Sequence, residues 1–211
     1  MSRRIIIFDM DGTLVDSALD ITTAINLVRE EISLSPLTTQ TVVDAINGDH
    51  HGLAKIFYDT QEYKQEHREL FENFYHQECI KNVYLYDGVF ELLTALNEHN
   101  VKCSVATNAP APFAKRILKH VQVDHFFDYI YGADTHKSKP HPDMLNTILS
   151  NYSYDNTQDL LPIMIGDSIK DIEAGLNASM DSVHVKWGFS SEVFKNSIKH
   201  PKELLKLLDI N

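Results

Sequence analysis

Cysteine, positive charge and long apolar runs are all scarce in this sequence. Its two cysteines, Cys79 and Cys103, cannot build a disulfide framework, and neither lies in a CxxC pair or near a histidine at zinc-finger spacing. We therefore expect a reducing, cytoplasmic location. The first apolar run covers only residues 5–8, whereas a signal peptide needs about 7–15 apolar residues and a membrane helix about 20. No later run reaches either length, so we predict a soluble protein without a membrane partner.

The shortage of basic residues limits the possible partners. Lys and Arg total 19 and Asp and Glu total 30, which gives the chain a formal net charge of -11. This sign excludes attachment to nucleic acid by general electrostatic attraction, and an anionic substrate would need a local cation. Glycine and proline, 8 and 7 residues, are too few for a collagenous or low-complexity chain. With 211 residues, the chain can form one large or two small packed domains.

Short apolar segments and amphipathic segments alternate from about residue 87 onward. Strands are predicted at residues 5–8, a short apolar run rich in β-branched residues, and at residues 101–106, 129–132, 163–165 and 182–185. Helices are predicted between them, at residues 89–96, 112–120, 142–151 and 170–177, from apolar spacing or from a proline at a plausible helix start. This alternation predicts an α/β fold with a mainly parallel, Rossmann-like sheet.

A long segment after the first strand interrupts the alternation. No sheet strand is predicted before residue 101, and residues 17–79 carry only helical patterns, such as the apolar stripe Ile21, Ala24, Ile25, Val28 and Ile32. We therefore predict a core domain formed by residues 1–15 and 86–211. An all-helical cap domain, residues 16–85, is inserted into it.

Polar residues follow the predicted core strands. Ligands of open α/β sheets bind beyond the carboxyl ends of the strands, and the residues expected there are Asp9, Asp11, Thr107, Asn108, Lys139, Asp167, Ser168 and Asp171. Any one of them could be a turn former, a helix cap or a solvated side chain. Together they bring several carboxylates, a hydroxyl and an ammonium to one sheet edge, and clustered acids of this kind usually need a cation.

The types of these residues indicate phosphoryl transfer. Oxygen donors such as Asp9 and Asp167, without cysteine or histidine at the strand ends, suit Mg²⁺ better than zinc. A carboxylate beside the metal can attack phosphorus and form an aspartyl-phosphate. A nearby ammonium and hydroxyl would bind the oxygens of the transferred group.

Four segments resemble the motifs of the haloacid dehalogenase-like phosphotransferases, in the same order and at similar spacing. The segment FDMDGTLVDS, residues 8–17, resembles the first motif and Thr107 matches the second, while KPHPD, residues 139–143, and GDS, residues 166–168, with Asp171 resemble the third and fourth. The match extends to residues 17–20, 47–48, 171–175 and 185–189, which are similar to the phosphoglycolate phosphatase branch. That branch carries a helical cap after the first motif.

The resemblance implies a role for each matching residue. Asp9 would be the nucleophile, and Asp11 the acid that protonates the leaving alkoxide and then accepts a proton from the hydrolytic water. The carboxylates of Asp9 and Asp167 and the backbone carbonyl of Asp11 would hold Mg²⁺, with Asp171 and Ser168 binding or supporting the metal. Phosphate oxygens would be held by three residues, Thr107, Asn108 and Lys139.

The predicted cap contains the residues expected to select the substrate. They are Asp20, Asn47, Gly48, His50 and His51, although the histidine pair could equally be a surface loop. Phosphoglycolate is the substrate that fits the resemblance best, and the partner expected is a small phosphorylated metabolite. The sequence leaves the oligomeric state open.

Other activities of similar proteins are alternatives. Sugar phosphates and nucleotides are handled by relatives. A β-phosphoglucomutase-like phosphomutase is less favoured, because those enzymes have a histidine where this chain has Asp20 and Ile21. A phosphonatase would need a cap lysine, for which Lys55 is the formal candidate. A phosphate sensor without catalysis conflicts with the complete set of motifs.

Overall fold

The structure, a computed structural model, describes residues 4–48, 52–157, 159–190 and 194–210. Its elements in chain order are β1 (Ile5–Phe8), β2 (Val15–Asp16), α1 (Ala18–Glu31), α2 (Thr39–Asn47), α3 (Leu53–Tyr58), α4 (Gln65–Glu78), β3 (Tyr84–Leu85), α5 (Val89–Glu98), β4 (Lys102–Thr107), α6 (Ala111–His120), a 3-10 turn (Asp124–Phe126), β5 (Tyr129–Gly132), α7 (Asp143–Asn151), β6 (Ile163–Gly166), α8 (Ile169–Asn177), β7 (Asp181–Val185), β8 (Ser197–Ile198) and α9 (Pro201–Leu207).

Six of the described strands form one parallel sheet in the order β5-β4-β1-β6-β7-β8. All four residues of β1 are buried, because helices cover both faces of the sheet. Ile6 and Phe8 pack into the apolar cluster on one face and Ile5 and Ile7 into the cluster on the other, as expected for side chains that alternate along a strand. The prediction of an α/β fold with a mainly parallel sheet is confirmed.

Helices α1 to α4 lie between β2 and β3 in sequence and share a separate apolar cluster. Ile25 and Val28 of α1 meet Val42 of α2 and Phe57 of α3 there. The predicted helical character of this segment agrees with these elements, and the domain boundaries at residues 16 and 85 stay a prediction.

The sequence analysis missed the short two-stranded sheet at the base of this segment. Strands β2 and β3 pair antiparallel, with Val15 opposite Leu85 and Asp16 opposite Tyr84. A strand of two residues is too short to give an alternating pattern, so hydrophobic periodicity does not reveal it. This ribbon joins the helical segment to the core at both of its ends.

Candidate active site

The candidate site lies at the carboxyl edge of the parallel sheet, where the loops after β1, β4, β5 and β6 meet. The loop after β1 turns sharply at Gly12, whose φ of +78° favours glycine. A side chain at Gly12 would collide with the carboxylate of Asp167, so the turn also needs glycine for this close approach. Parallel strands bring Asp9 and Asp167 together in this way, because the ends of β1 and β6 are neighbours.

Lys139 is the buried cation of the site. Its Nζ donates to Oδ1 of Asp9 at 2.7 Å and to Oδ1 of Asp171 at 2.6 Å, and the lysine is only 2% exposed. Burial opposes the charged ammonium, but the carboxylates of Asp171 and Asp9 outweigh this effect and raise the pKa of Lys139 to about 12. The ammonium is therefore permanently charged at neutral pH.

Asn108 fixes the loop that carries Lys139. Its side-chain Oδ1 accepts a hydrogen bond from the backbone N–H of Lys139 at 2.7 Å, and its Nδ2 donates to the backbone carbonyl of Lys139 at 3.1 Å. The amide of Asn108 is thus engaged with protein backbone. What Asn108 can offer a phosphate is its backbone N–H rather than its side chain.

Three carboxylates form a cluster that suits a divalent cation. Ligand oxygens of Asp9, Asp167 and Asp171 all lie within 4.8 Å of one another, and the three residues are buried. Oδ2 of Asp171 also accepts from the backbone N–H and the hydroxyl of Ser168, at 3.0 and 2.7 Å, which caps α8. An oxygen-only set of this kind matches a hard divalent cation such as Mg²⁺ or Ca²⁺.

Burial makes the charged forms of these acids unfavourable without a cation. Burial raises the pKa of Asp9 well above its ordinary value, and Asp171 and Asp167 add to this effect while Lys139 opposes it. Burial and the charge of Asp171 raise the pKa of Asp167 to about 7, although the backbone N–H of Phe189 donates to its Oδ2 at 2.7 Å. A bound divalent cation would relieve this repulsion.

Asp11 has the environment of a proton donor. Burial raises the pKa of its carboxyl, and hydrogen bonds from the hydroxyls of Ser17 and Thr107 oppose the rise only in part. The Ser17 hydroxyl donates to Oδ1 of Asp11 at 2.5 Å, and the backbone N–H of Ala109 donates to the hydroxyl oxygen of Thr107 at 3.1 Å. The Ser17 hydroxyl thus holds the carboxyl group of Asp11, and the Thr107 hydroxyl holds the backbone of the loop after β4.

A cavity of about 390 Å³ lies between the sheet edge and the helical segment. The sequence-predicted residues that line it are Asp9, Asp11, Thr107, Asn108, Lys139, Ser168, Asp171 and, from the helical segment, Asn47. Asp167 belongs to the acidic cluster with Asp9 and Asp171 but is not among the residues that line the cavity. The structure therefore brings the residues predicted at the strand ends together.

Among the described residues, Asp20, Gly48 and Lys55 do not line this cavity. The carboxylate of Asp20 accepts hydrogen bonds from the backbone N–H groups of Asn82 and Val83 at 3.0 Å each, so it ties α1 to the chain that returns to the core. Gly48 ends α2, and Lys55 forms an ion pair with Asp59 on an exposed surface. His50 and His51 lie outside the described residues.

The sequence analysis missed several cavity residues. Lys170, only 6% exposed, donates to the backbone carbonyl of Ile46 and so connects α8 of the core with α2. Its position between Asp167 and Asp171 was the available signal. The aromatic residues of α4 gave no such signal, because helical periodicity does not tell a cavity wall from a packed core.

Comparison with known proteins identifies the family. The model of the family described as haloacid dehalogenase-like hydrolase matches residues 6–185. The chain therefore belongs to the haloacid dehalogenase-like hydrolases, as its motifs indicated.

Particular relatives are phosphatases. The chain is 29% identical to a phosphoglycolate phosphatase of Aquifex aeolicus, covering 98% of this chain and 97% of that protein. It is 28% identical to an N-acetylmuramic acid 6-phosphate phosphatase of Pseudomonas aeruginosa, covering 99% and 96%. The crystal structure of a predicted phosphoglycolate phosphatase from Haemophilus somnus superposes with a TM-score of 0.83 at 25% identity, covering 99% of each chain. Within the described ranges, no helix has the length and apolarity that crossing a bilayer requires.

Proposed function

We propose that this chain is a Mg²⁺-dependent phosphatase that hydrolyses small phosphomonoesters through an aspartyl-phosphate on Asp9. The observation that carries the proposal is the cluster of Asp9, Lys139 and Asp171 in the wall of the cavity, which Asp11 also lines. The names of the phosphatase relatives support the same reaction class. We expect the enzyme to work in the cytoplasm on a small phosphorylated metabolite.

The first half-reaction transfers the phosphoryl group to the protein. A carboxylate oxygen of Asp9 attacks phosphorus, the bond from phosphorus to the ester oxygen breaks, and the Asp11 carboxyl donates its proton to the departing alkoxide. Burial favours the protonated form of Asp11 that this step needs. Lys139 and Thr107 bind the phosphate oxygens as negative charge builds up on them.

The second half-reaction releases phosphate. A water molecule attacks phosphorus while the Asp11 carboxylate accepts its proton, and the bond from phosphorus to the Asp9 oxygen breaks. Asp9 and Asp11 are thereby restored to their starting forms. The same carboxyl group of Asp11 thus serves both half-reactions, giving one proton to the leaving alcohol and taking another from water.

The acidic cluster would hold the metal ion. Asp9 and Asp167 are the proposed carboxylate ligands, the backbone carbonyl of Asp11 the third protein ligand, and Asp171 with Ser168 would bind or support them. When bound, Mg²⁺ supplies positive charge that stabilises the transferring oxygens and lowers the repulsion between substrate and acids. Lys139 keeps Asp9 and Asp171 oriented around it.

The helical segment would select the substrate, and phosphoglycolate is the first candidate because relatives carry that name. Asn47 supports a selecting role, since its Nδ2 is buried in the cavity wall and has no hydrogen-bond partner among the described residues. A longer ester, such as a sugar phosphate or a nucleotide, is the second candidate. The cavity volume favours it, because pockets of ~300–1,000 Å³ hold ligands much larger than a two-carbon acid.

The test is phosphate release by the purified chain from a panel of phosphomonoesters, with Mg²⁺ and with EDTA. We expect Asp9→Asn to abolish turnover of every ester while the fold persists, since an amide cannot attack phosphorus. Asp181→Asn is the matched control, because Asp181 is an exposed carboxylate at the opposite end of the sheet. Normal turnover by Asp9→Asn, or full activity in EDTA, would refute the proposed mechanism.

A further inference from the structure

One stripe of helix α4 lines the cavity with aromatic rings and unused polar atoms. His67, Phe71 and Tyr75 are spaced four residues apart, so they lie above one another on the same helix face, and all three line the cavity. We call this stripe, together with Tyr58 packed against His67, the α4 recess. The ring centroids of Tyr58 and His67 are 5.0 Å apart and those of Phe71 and Tyr75 are 5.1 Å apart.

Two polar atoms in the recess lack partners. His67 and Tyr75 are each only 2% exposed. Among the described residues, Nδ1 of His67 and the hydroxyl of Tyr75 have no hydrogen-bond partner. A buried polar group without a partner is destabilising. Because these two atoms belong to residues of a cavity wall beside a reaction centre, a bound ligand is the natural source of their missing hydrogen bonds.

The recess begins at the reaction centre and leads away from it. The ring of Tyr75 packs against Phe113 of the core at 5.0 Å, and burial followed by the nearby charge of Asp11 raises the pKa of its hydroxyl. His67 lies two turns further along α4, which is ~12 Å at 1.5 Å per residue. The leaving group of phosphoglycolate is too short to reach from Asp11 to His67.

The walls between these two points are formed by flat aromatic and guanidinium groups. Phe71 and Tyr75 lie nearly parallel, with an interplanar angle of 18°. The guanidinium of Arg68 covers the ring of Tyr63 at 5.1 Å, and both residues also line the cavity. Surfaces of this kind attract another flat ring more than a flexible chain of hydroxyl groups.

We propose that the leaving group of the substrate carries an aromatic ring that lies in the α4 recess and pairs an edge atom with Nδ1 of His67. The substrate class is a phosphomonoester of about nucleoside size, with the ring at the end away from phosphorus. This inference rests on the proposed phosphatase function and selects the longer ester among its candidates.

The experiment compares four phosphate compounds on the purified chain with Mg²⁺: the esters uridine 5′-monophosphate, glucose 6-phosphate and phosphoglycolate, and the acyl phosphate acetyl phosphate. We expect kcat/KM for the uridine ester to exceed that for phosphoglycolate and for glucose 6-phosphate by about tenfold or more. A higher kcat/KM for phosphoglycolate or for glucose 6-phosphate than for the uridine ester would overturn the inference. Acetyl phosphate has no group that reaches the recess, so it reports on the reaction centre alone.

Two variants of His67 locate the contact. His67→Phe keeps a ring against Tyr58 but removes Nδ1, and we expect it to raise KM for the uridine ester about five- to tenfold, the effect of one lost hydrogen bond, with little change in kcat or in turnover of acetyl phosphate. His67→Gln restores a hydrogen-bonding side chain and should recover part of the loss. His76→Phe makes the same replacement on the exposed face of α4 and should leave the turnover of all four compounds unchanged.

Several results would contradict the recess. An equal loss on all esters in His67→Phe would mean that His67 only supports the fold, and an unchanged KM for the uridine ester would mean that it makes no contact. If these variants fail to fold, competitive inhibition of the wild-type chain decides, because uridine should inhibit acetyl phosphate turnover more strongly than glycolate does. If turnover depends on Asp9 but favours phosphoglycolate, the proposal for the α4 recess is overturned and the phosphatase function stands. If no ester gives phosphate release that depends on Asp9, the phosphatase function is overturned as well.

Discussion

Replacing Asp167 by asparagine should stabilise the metal-free protein and weaken its response to Mg²⁺. Asp167 is 1% exposed, and burial together with Asp171 raises its pKa from the ordinary 3.8 to about 7. Between pH 3.8 and about 7, Asp167 is therefore protonated in the folded protein but ionised in the unfolded chain. The free energy of unfolding consequently falls as the pH rises through this window.

The size of the effect follows from the raised pKa. At ~1.4 kcal/mol for each pKa unit, a pKa of about 7 in place of 3.8 corresponds to a loss of about 4 kcal/mol above pH 7. The amide oxygen of asparagine can still accept the hydrogen bond from the backbone N–H of Phe189, so most of this loss should be recovered. Asp171 gains as well, because one neighbouring charge disappears.

The assay is urea denaturation of the EDTA-treated protein at about pH 5 and about pH 8, repeated at about pH 8 with Mg²⁺. Wild type should lose stability between the two pH values, Asp167→Asn should lose less, and Asp181→Asn, which alters an exposed carboxylate, should follow wild type. Mg²⁺ should stabilise wild type and the control by the amount that its affinity dictates, and Asp167→Asn much less. Equal pH dependence of wild type and Asp167→Asn, or equal stabilisation of both by Mg²⁺, would refute the reasoning.

Two further predictions concern residues on either side of the reaction centre. Asp11→Asn should reduce turnover of alkyl phosphates at least tenfold more than turnover of p-nitrophenyl phosphate, because that leaving group needs little protonation; equal losses in steady-state assays would argue against Asp11 as the acid. Asn108→Ala removes both hydrogen bonds to the backbone of Lys139 and should lower kcat/KM about tenfold or more, while Asn151→Ala, a change of an exposed asparagine, should leave it unchanged. A variant Asn108→Ala with wild-type kinetics would show that Lys139 holds its place without this contact.

The sequence predicts the core of the site well because parallel strands end at a common edge. Four short apolar runs, each followed by polar residues, were enough to bring Asp9, Asp167 and Lys139 together, since the sheet itself does the positioning. The predicted strands of the main sheet are observed with their ends within one residue, whereas the short edge strand β8 was not predicted. Repeated local patterns of this kind are what periodicity detects.

The helical segment was predicted less fully because its contacts join distant parts of the chain. Asp20 accepts hydrogen bonds from Asn82 and Val83, which lie more than 60 residues further along the chain. The sequence therefore offered no sign that the carboxylate of Asp20 connects these two segments. His67 and Tyr75 lie on a helix face whose residue spacing predicts burial. Burial against a core and burial against a cavity give the same pattern, and only the missing hydrogen-bond partners tell them apart.

The charge balance of the site explains why Lys139 is insufficient for its chemistry, even with Lys170 also in the cavity wall. Lys139 is shared by Asp9 and Asp171, while Asp167 adds a third buried carboxyl whose ionisation the surroundings resist. A phosphate ester brings further negative charge to the same place, so its approach is unfavourable unless a second cation is present. The resistance to ionisation that destabilises the metal-free protein is therefore the property that favours a divalent cation there. Because the same ion would offset the charge of the acids and of the ester, its binding and that of the substrate should strengthen each other.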